Sequence, residues 1–306
     1  MRSGLDDTAI LLMAYGTPTE ESEIEPYLID IRRGRKSSAD QIEDLKRRYR
    51  EIGGRSPLLE VTKAQAFELQ RRLQANEIKV PVYYGMKHWH PYISETVREI
   101  LKLGAHRIVS LVLAPHYSRL SVGGYRVLLE TALASSRDIK IDFVESWYDN
   151  PLFQAAMTEK VINGLKGFPQ SGEISVLFTA HSLPERIIAE GDPYSSQLLE
   201  SCRTIAKLAC IERWSFAYQS AGRTGEKWLG PDIREVLEGT ASNSKVLVVP
   251  IGFVADHLEI LYDIDVEAQA FAKSRDILLH RTESLNTSRS FIAALADIVS
   301  NRLLAQ

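Results

Sequence analysis

This chain of 306 residues predicts an α/β protein of two similar doubly wound lobes, each on a parallel four-stranded sheet. Three observations carry the prediction. Strand-like and helix-like stretches alternate along the whole length, the strand-like ones are almost continuously apolar, and the second set of strands reads as a weak copy of the first. Continuous apolar strands separated by amphipathic segments imply parallel sheets covered on both faces.

The first set falls at 9–14, 80–85, 108–114 and 139–144, and the second at 174–180, 214–218, 246–253 and 277–280. Each is short, rich in β-branched or aromatic residues and bounded by polar or Gly/Pro residues. Helical periodicity occupies 38–52, 58–75, 91–103, 152–165, 194–211 and 255–271, with a last helix at 288–304. The copying is visible where Leu12-Met-Ala-Tyr-Gly-Thr-Pro18 parallels Phe178-Thr-Ala-His-Ser-Leu-Pro184, and Val112-Leu-Ala-Pro-His-Tyr117 parallels Val248-Val-Pro-Ile-Gly-Phe253. A first lobe is expected at 1–148 and a second at 149–285, divided near Asp149-Asn-Pro151, with a C-terminal helix at about 286–306 packing back on the first. No low-complexity linker separates the halves, so the cleft between them is expected to be rigid. Ligands of doubly wound sheets sit beyond the carboxyl ends of the strands. That aims Tyr15-Gly-Thr-Pro18, His116-Tyr-Ser-Arg119, His181-Ser-Leu-Pro184 and Gln219-Ser-Ala-Gly222 at one cleft.

Composition narrows the function classes. Hydrophobic content of 44% and charged content of 25% suit a globular protein, and a net charge of −3 gives no general attraction for nucleic acid. No apolar run approaches the roughly 20 residues that span a bilayer. The start, Met1-Arg-Ser-Gly-Leu-Asp-Asp7, lacks the apolar region of a signal peptide, so a cytoplasmic protein is expected. Cys202 and Cys210 are too few for a disulfide framework or a four-cysteine iron–sulfur cluster, and buried free thiols are expected.

The segment after the strand at 246–253 is the most informative. At about 100° per residue, Asp256, Glu259, Asp263 and Glu267 fall within roughly one quadrant of a helix. Like charges four apart destabilise a helix by about 0.2–0.5 kcal/mol per pair, and no Lys or Arg lies between Lys245 and Lys273 to offset them. A cation is the expected reason for the stripe, with His257 beside it suiting a borderline divalent metal. His181 alone would read as a structural histidine, but its place after a buried strand, facing this helix, marks a shared site. His88 and His90 read as structural or rim residues, because no carboxylate lies near them in sequence. The first lobe is basic and aromatic by contrast, with Ile31-Arg-Arg-Gly-Arg-Lys36, Lys46-Arg-Arg-Tyr-Arg50, Arg55 and Tyr27. Arginine recognises carboxylates bidentately, which implies a ligand with carboxylates at one edge and a metal-reactive centre.

These residues resemble the ferrochelatase family over essentially the whole chain. The motifs are Met13-Ala-Tyr-Gly-Thr-Pro18, Ile31-Arg-Arg-Gly-Arg35, Ile52-Gly-Gly-Arg-Ser-Pro-Leu58, Ala114-Pro-His116, Glu145-Ser-Trp-Tyr148, Ala180-His-Ser-Leu-Pro184, Trp228-Leu-Gly-Pro-Asp232 and Gly252-Phe-Val-Ala-Asp-His-Leu-Glu259. The resemblance implies a chelatase-like pair of Rossmann-like lobes and insertion of Fe(II) into a porphyrin during haem synthesis, with release of two pyrrole protons. By motif match His181 and Glu259 are the metal-site pair, and Asp263 and Glu267 continue an acidic path for a hydrated cation, often drawn as a π-helix. Tyr15 makes the chain similar to the coproporphyrin III ferrochelatases of Gram-positive bacteria, in which a tyrosine here faces the macrocycle. Arg32, Arg48, Tyr49, Ser56 and Tyr125 match positions that contact the porphyrin in that branch. The loop at 221–227 departs from the family pattern. Fe(II) is then a substrate, and neither a tightly bound cofactor nor an iron–sulfur cluster is expected. The expected partners are porphyrin and Fe(II), with room for transient contact with the next haem-pathway enzyme, in a monomer. A neutral His181 would take a pyrrole proton. Protoporphyrin IX as substrate, a cobalt or nickel chelatase of the same fold, and a non-catalytic tetrapyrrole carrier stand as alternatives.

Overall fold

The computed structural model describes residues 7–136, 138–169, 171–222 and 225–305; the expectation for the chain start rests on residues outside that range. Strand β1 (Thr8–Ala14) is buried at all 7 positions, which is the requirement for a strand with neighbours on both edges and layers on both faces. It pairs in parallel with β2 (Val82–Met86) and β3 (Arg107–Val112), and β4 (Lys140–Val144) adds beyond β3. The second sheet repeats this plan with β5 (Ile174–His181), β6 (Trp214–Gln219), β7 (Lys245–Pro250) and β8 (Leu278–Arg281), also all parallel. Strand orders are β2-β1-β3-β4 and β6-β5-β7-β8. The weak internal copy in the sequence is therefore a copy of topology: β5 stands where β1 does and β7 where β3 does. In such an order the chain winds away in opposite directions from the two inner strands. The crevice opens at their carboxyl ends.

A short 3-10 helix (Glu21–Glu23), eleven α-helices and one π-helix complete the described residues: α1 (Ile24–Ile31), α2 (Ala39–Glu51), α3 (Leu58–Ala75), α4 (Ile93–Lys102), α5 (Val122–Leu133), α6 (Pro151–Leu165), α7 (Arg186–Ala189), α8 (Tyr194–Leu208), α9 (Ile233–Glu238), the π-helix Glu259–Ala268, α10 (Gln269–Ser274) and α11 (Arg289–Leu304). Helix α2 starts in a capping box between Ser38 and Gln41. Helix α6 starts where Asn150 accepts from the amides of Leu152 and Phe153, with Pro151 at the first helical position, where its missing N–H costs nothing.

The sequence reading does not anticipate helices α1, α5, α7 and α9. Pro26 lies in the first turn of α1, Gly123 and Gly124 open α5, and α7 and α9 are one to two turns long. Helix α8 ends at Leu208, so Cys210 sits exposed in a turn at φ 54°, and only Cys202 is buried as expected.

Helix α11 packs on α3, β3 and α6, so it lies between elements of both halves. Leu69 and Leu73 of α3, Phe153 of α6, Phe178 of β5 and Phe291 of α11 share one apolar cluster with Ile10 of β1 and Val249 of β7. Each such side chain contributes about 1.5–3 kcal/mol on burial. Both sheets are thereby anchored to a common core.

Candidate active site

The loops leaving the inner strands of both sheets meet around one cavity of about 340 Å³. Tyr15, Gly16 and Thr17 arrive from β1, His116, Leu120 and Ser121 from β3, His181 and Leu183 from β5, and the turn 252–259 from β7. Two motif glycines allow this convergence. A Cβ on Gly16, which has φ +97°, would lie 2.9 Å from the Trp89 amide nitrogen, and one on Gly252 would lie 2.8 Å from the Ala180 Cβ.

His181 is the last residue of β5. Its Nε2 lies 3.4 Å from Glu259 Oε1, its Nδ1–H donates to the Ser182 carbonyl, and its own carbonyl accepts from the Tyr194 phenol at 3.0 Å. Burial disfavours charge on the imidazole, but the Glu259 carboxylate, the Ser182 carbonyl and Asp263 outweigh it and raise the pKa to about 9. Burial likewise works against charge on Glu259, yet His181 holds that carboxyl below its ordinary value. The coupling favours imidazolium beside carboxylate, which runs against the neutral His181 expected from its reference pKa. His257 lines the same cavity, accepts from the Glu259 amide at 3.2 Å, and is kept neutral mainly by burial.

The acid stripe is a π-helix from Glu259, and it corrects the sequence reading in two ways. Asp256 lies before the helix and outside the stripe. It accepts from Ser284 Oγ at 2.7 Å and Asn286 Nδ2 at 2.8 Å and lies 3.3 Å from Arg281. Acids of this helix, in the stripe and beside it, also have basic partners, drawn from distant elements. Arg281 of β8 is bidentate to Asp265 at 2.8 Å, and Arg48 of α2 reaches Asp263 at 3.4 Å. Glu259, Asp263 and Glu267 run from the cavity to an exposed end. Burial and Glu259 push the Asp263 carboxyl up to about 7, although Ser220 donates to it. Among the described residues, no group of three or more His, Cys, Asp or Glu converges closely enough to hold a metal ion.

Of the first-lobe residues, Tyr15, Tyr49, Ser56 and Tyr125 line the cavity. The Tyr49 hydroxyl is 2.7 Å from Thr17 Oγ1, and Tyr27 donates to the Gly16 carbonyl at 3.0 Å, so both brace the β1 loop. Tyr15 lines the cavity mouth, its ring centre 4.7 Å from that of His88. Burial, Glu259 and Asp30 keep its phenol protonated well above neutrality. Arg32 and Arg48 do not line the cavity: Arg32 donates to Ser37 and Gln41, and Arg48 is held by Asp44 and Asp263. His88 and His90 do have carboxylate partners, Asp30 at 2.8 Å and Glu95 at 3.0 Å, brought in by the fold.

Sequence reasoning missed Lys87. It lines the cavity with its Nζ 5.0 Å from the Tyr125 ring centre, and no carboxylate pairs with it among the described residues. Burial and Arg33 lower its pKa. Its place just past β2 was the available signal. In the loop 221–227, Arg223 and Thr224 lie outside the described residues.

Two parallel four-stranded sheets whose switch-point loops share one cavity define a chelatase fold. The sirohydrochlorin chelatase of Bacillus subtilis subspecies spizizenii, solved with cobalt, superposes with a TM-score of 0.59 at 13% identity, covering 97% of this chain and 95% of that one. The family model Ferrochelatase matches residues 7–303, and the chain belongs to the ferrochelatase family. It is 42% identical over 301 residues to a protein named ferrochelatase from Herpetosiphon aurantiacus, covering 96% of this chain and 99% of the relative. It is 40% identical over 302 residues to one named coproporphyrin III ferrochelatase from Geobacillus thermodenitrificans, covering 96% of this chain and 95% of that relative. The protein is thus a ferrochelatase of haem biosynthesis, an enzyme of the lyase class whose substrates are a porphyrin and iron. No described helix is long and apolar enough to cross a membrane.

Proposed function

We propose that the protein inserts Fe(II) into coproporphyrin III, giving coproheme and two protons. The observation that carries this reading is the pairing of Tyr15 and His181, a phenol and an imidazole at matching strand ends of the two lobes, on one cavity. Lys87, without a carboxylate partner among the described residues, adds a cation for a propionate. Relatives at about 40% identity bear the coproporphyrin name. Protoporphyrin IX is the second reading, favoured because Arg32 and Arg48 are engaged away from the cavity and because other relatives are named only ferrochelatase.

A planar porphyrin keeps its N–H protons inward, so the metal enters a nonplanar ring with exposed nitrogen lone pairs. Binding at the carboxylate edge offsets that strain. His181 and Glu259 receive Fe(II). Because metal ligation favours the neutral imidazole, arrival of the cation displaces the proton His181 holds to the Asp263–Glu267 path, and as the iron passes into the ring the vacated Nε2 takes one pyrrole proton and Glu259 the other. Asp263, titrating near neutrality, and Glu267 at the exposed end pass protons outward and admit a cation that keeps its water. The iron is substrate, and no resident cofactor enters this scheme.

Anaerobic Fe(II) insertion, followed by absorbance with coproporphyrin III and protoporphyrin IX in parallel, tests the reading. Strong preference for coproporphyrin is expected. Preference for protoporphyrin overturns the substrate, and tight binding without insertion by either would make the protein a carrier.

A further inference from the structure

One wall of the cavity belongs to the first sheet by sequence but is fastened to the second lobe. Four consecutive residues of the loop after β3 are bonded across the cleft. His116 Nε2 shares a hydrogen bond with Ser201 Oγ at 2.9 Å, and the Tyr117 amide donates to Gln197 Oε1 at 2.7 Å. Ser118 Oγ and the Arg119 amide both donate to Asp192 Oδ2, at 3.0 and 2.8 Å, and the Arg119 guanidinium pairs with Glu190. The other Asp192 oxygen accepts from the Tyr194 amide at 3.0 Å, and the Tyr194 phenol holds the His181 carbonyl. One carboxylate therefore joins the wall formed by His116, Leu120 and Ser121 to the segment that steadies His181.

We propose that Asp192 is a positioning residue for metal insertion. By tying the loop 116–121 to the second lobe, it sets the separation of the cavity walls and holds the bound macrocycle out of plane. This rests on the ferrochelatase reading of the cavity. Bending an aromatic ring needs walls that do not yield. A loop anchored at one end only moves aside, whereas a loop anchored to both lobes transmits the stiffness of two packed cores to the ligand. Asp192 is the node because it serves three donors, and its loss strands the hydroxyl of Ser118, a residue with no exposed surface. Gln197 and Ser201 are the lesser ties, each serving one donor.

The test uses the full chain with metal-free coproporphyrin III. Resonance Raman reads the out-of-plane modes of the bound ring, fluorescence titration reads Kd, and anaerobic Fe(II) insertion reads kcat and KM. In Asp192→Ala the out-of-plane bands weaken and kcat falls about tenfold, as expected for small misplacements of reacting groups, while Kd and the porphyrin KM stay within about twofold. Asp192→Asn, which keeps an acceptor oxygen, recovers most of the loss. Gln197→Ala shows a smaller change of the same kind and serves as the readout if Asp192→Ala does not fold. Unchanged Raman bands in the variants, or a wild-type complex without such bands, overturn the proposal while leaving iron insertion standing. A wild-type protein that neither binds porphyrin nor inserts iron overturns the ferrochelatase reading and this inference with it.

Discussion

The Arg48 guanidinium lies 3.4 Å from Asp263 Oδ1, so α2 of the first lobe supplies a cation to the acid ladder of the second. The same side chain reaches Asp44 at 3.1 Å and covers the Tyr262 ring at 4.8 Å, while Arg47 donates to the Tyr262 hydroxyl at 2.6 Å. The next residue, Tyr49, lines the cavity, so one turn of α2 touches both the porphyrin wall and the ladder.

Arg48→Gln removes the cation that opposes the upward shift of Asp263. The pKa of that carboxyl then climbs above about 7, and the acidic limb of the pH–rate profile moves to higher pH. An acidic limb that stays in place would show that Asp263 does not titrate during turnover.

His181→Ala should abolish iron insertion while porphyrin binding, followed by fluorescence quenching, stays largely intact. The side chain lines the cavity 3.4 Å from Glu259, where the metal is proposed to arrive, and is one of many residues around the cavity. Normal turnover in this variant would remove His181 from the mechanism.

Tyr15→Met should leave turnover measurable and change the absorption spectrum of the bound product, because a phenol lining the same cavity as His181 is lost. An identical spectrum would mean that Tyr15 is not an iron ligand.

Stability should fall with acid through His116. This residue is 2% exposed and burial depresses its pKa from 6.5 to about 3. Below pH 6.5 the unfolded chain binds a proton that the folded chain refuses, so stability is present above that pH and is lost on acidification. Between pH 6.5 and 5 the loss is of the order of 2 kcal/mol. Chemical denaturation at the two pH values measures it, and His116→Gln should flatten the difference.

Phe291→Ala should cost about 3–5 kcal/mol. The side chain has no exposed surface and sits in the core shared by both sheets. Both lobes should therefore unfold at a lower denaturant midpoint together; independent transitions would show that the shared core does not couple them.

Much of this site was legible from local signals. A run such as Ala9–Ala14 has no polar face and can only be an inner strand, and parallel inner strands place their following loops at the crevice. Tyr15 and His181 were found that way, Glu259 came from the helical spacing of the acids, and the motif match added Tyr49, Ser56 and Tyr125. The acid helix was misread for two reasons. Spacing along a helix does not report which residues of other elements arrive beside it. Asp256 was counted with the ladder because the period assumed an α-helix beginning at 255, whereas a loop there turns its carboxylate to Arg281, Ser284 and Asn286. The ladder looked unpaired because Arg48, which reaches Asp263, lies far away in sequence.

The sequence by itself determined the alternation of strands and helices, the duplicated plan, the family, and the residue types that face the cleft, because apolar periodicity and short motifs are local. Only the tertiary structure decided the protonation of the His181–Glu259 pair, the engagement of Arg32 and Arg48 away from the cavity, the exposure of Lys87 to it, and the fastening of the 116–121 loop by Asp192. Each of these depends on the distance between groups from separate elements, and both electrostatic energy and hydrogen bonding fall away over a few ångströms.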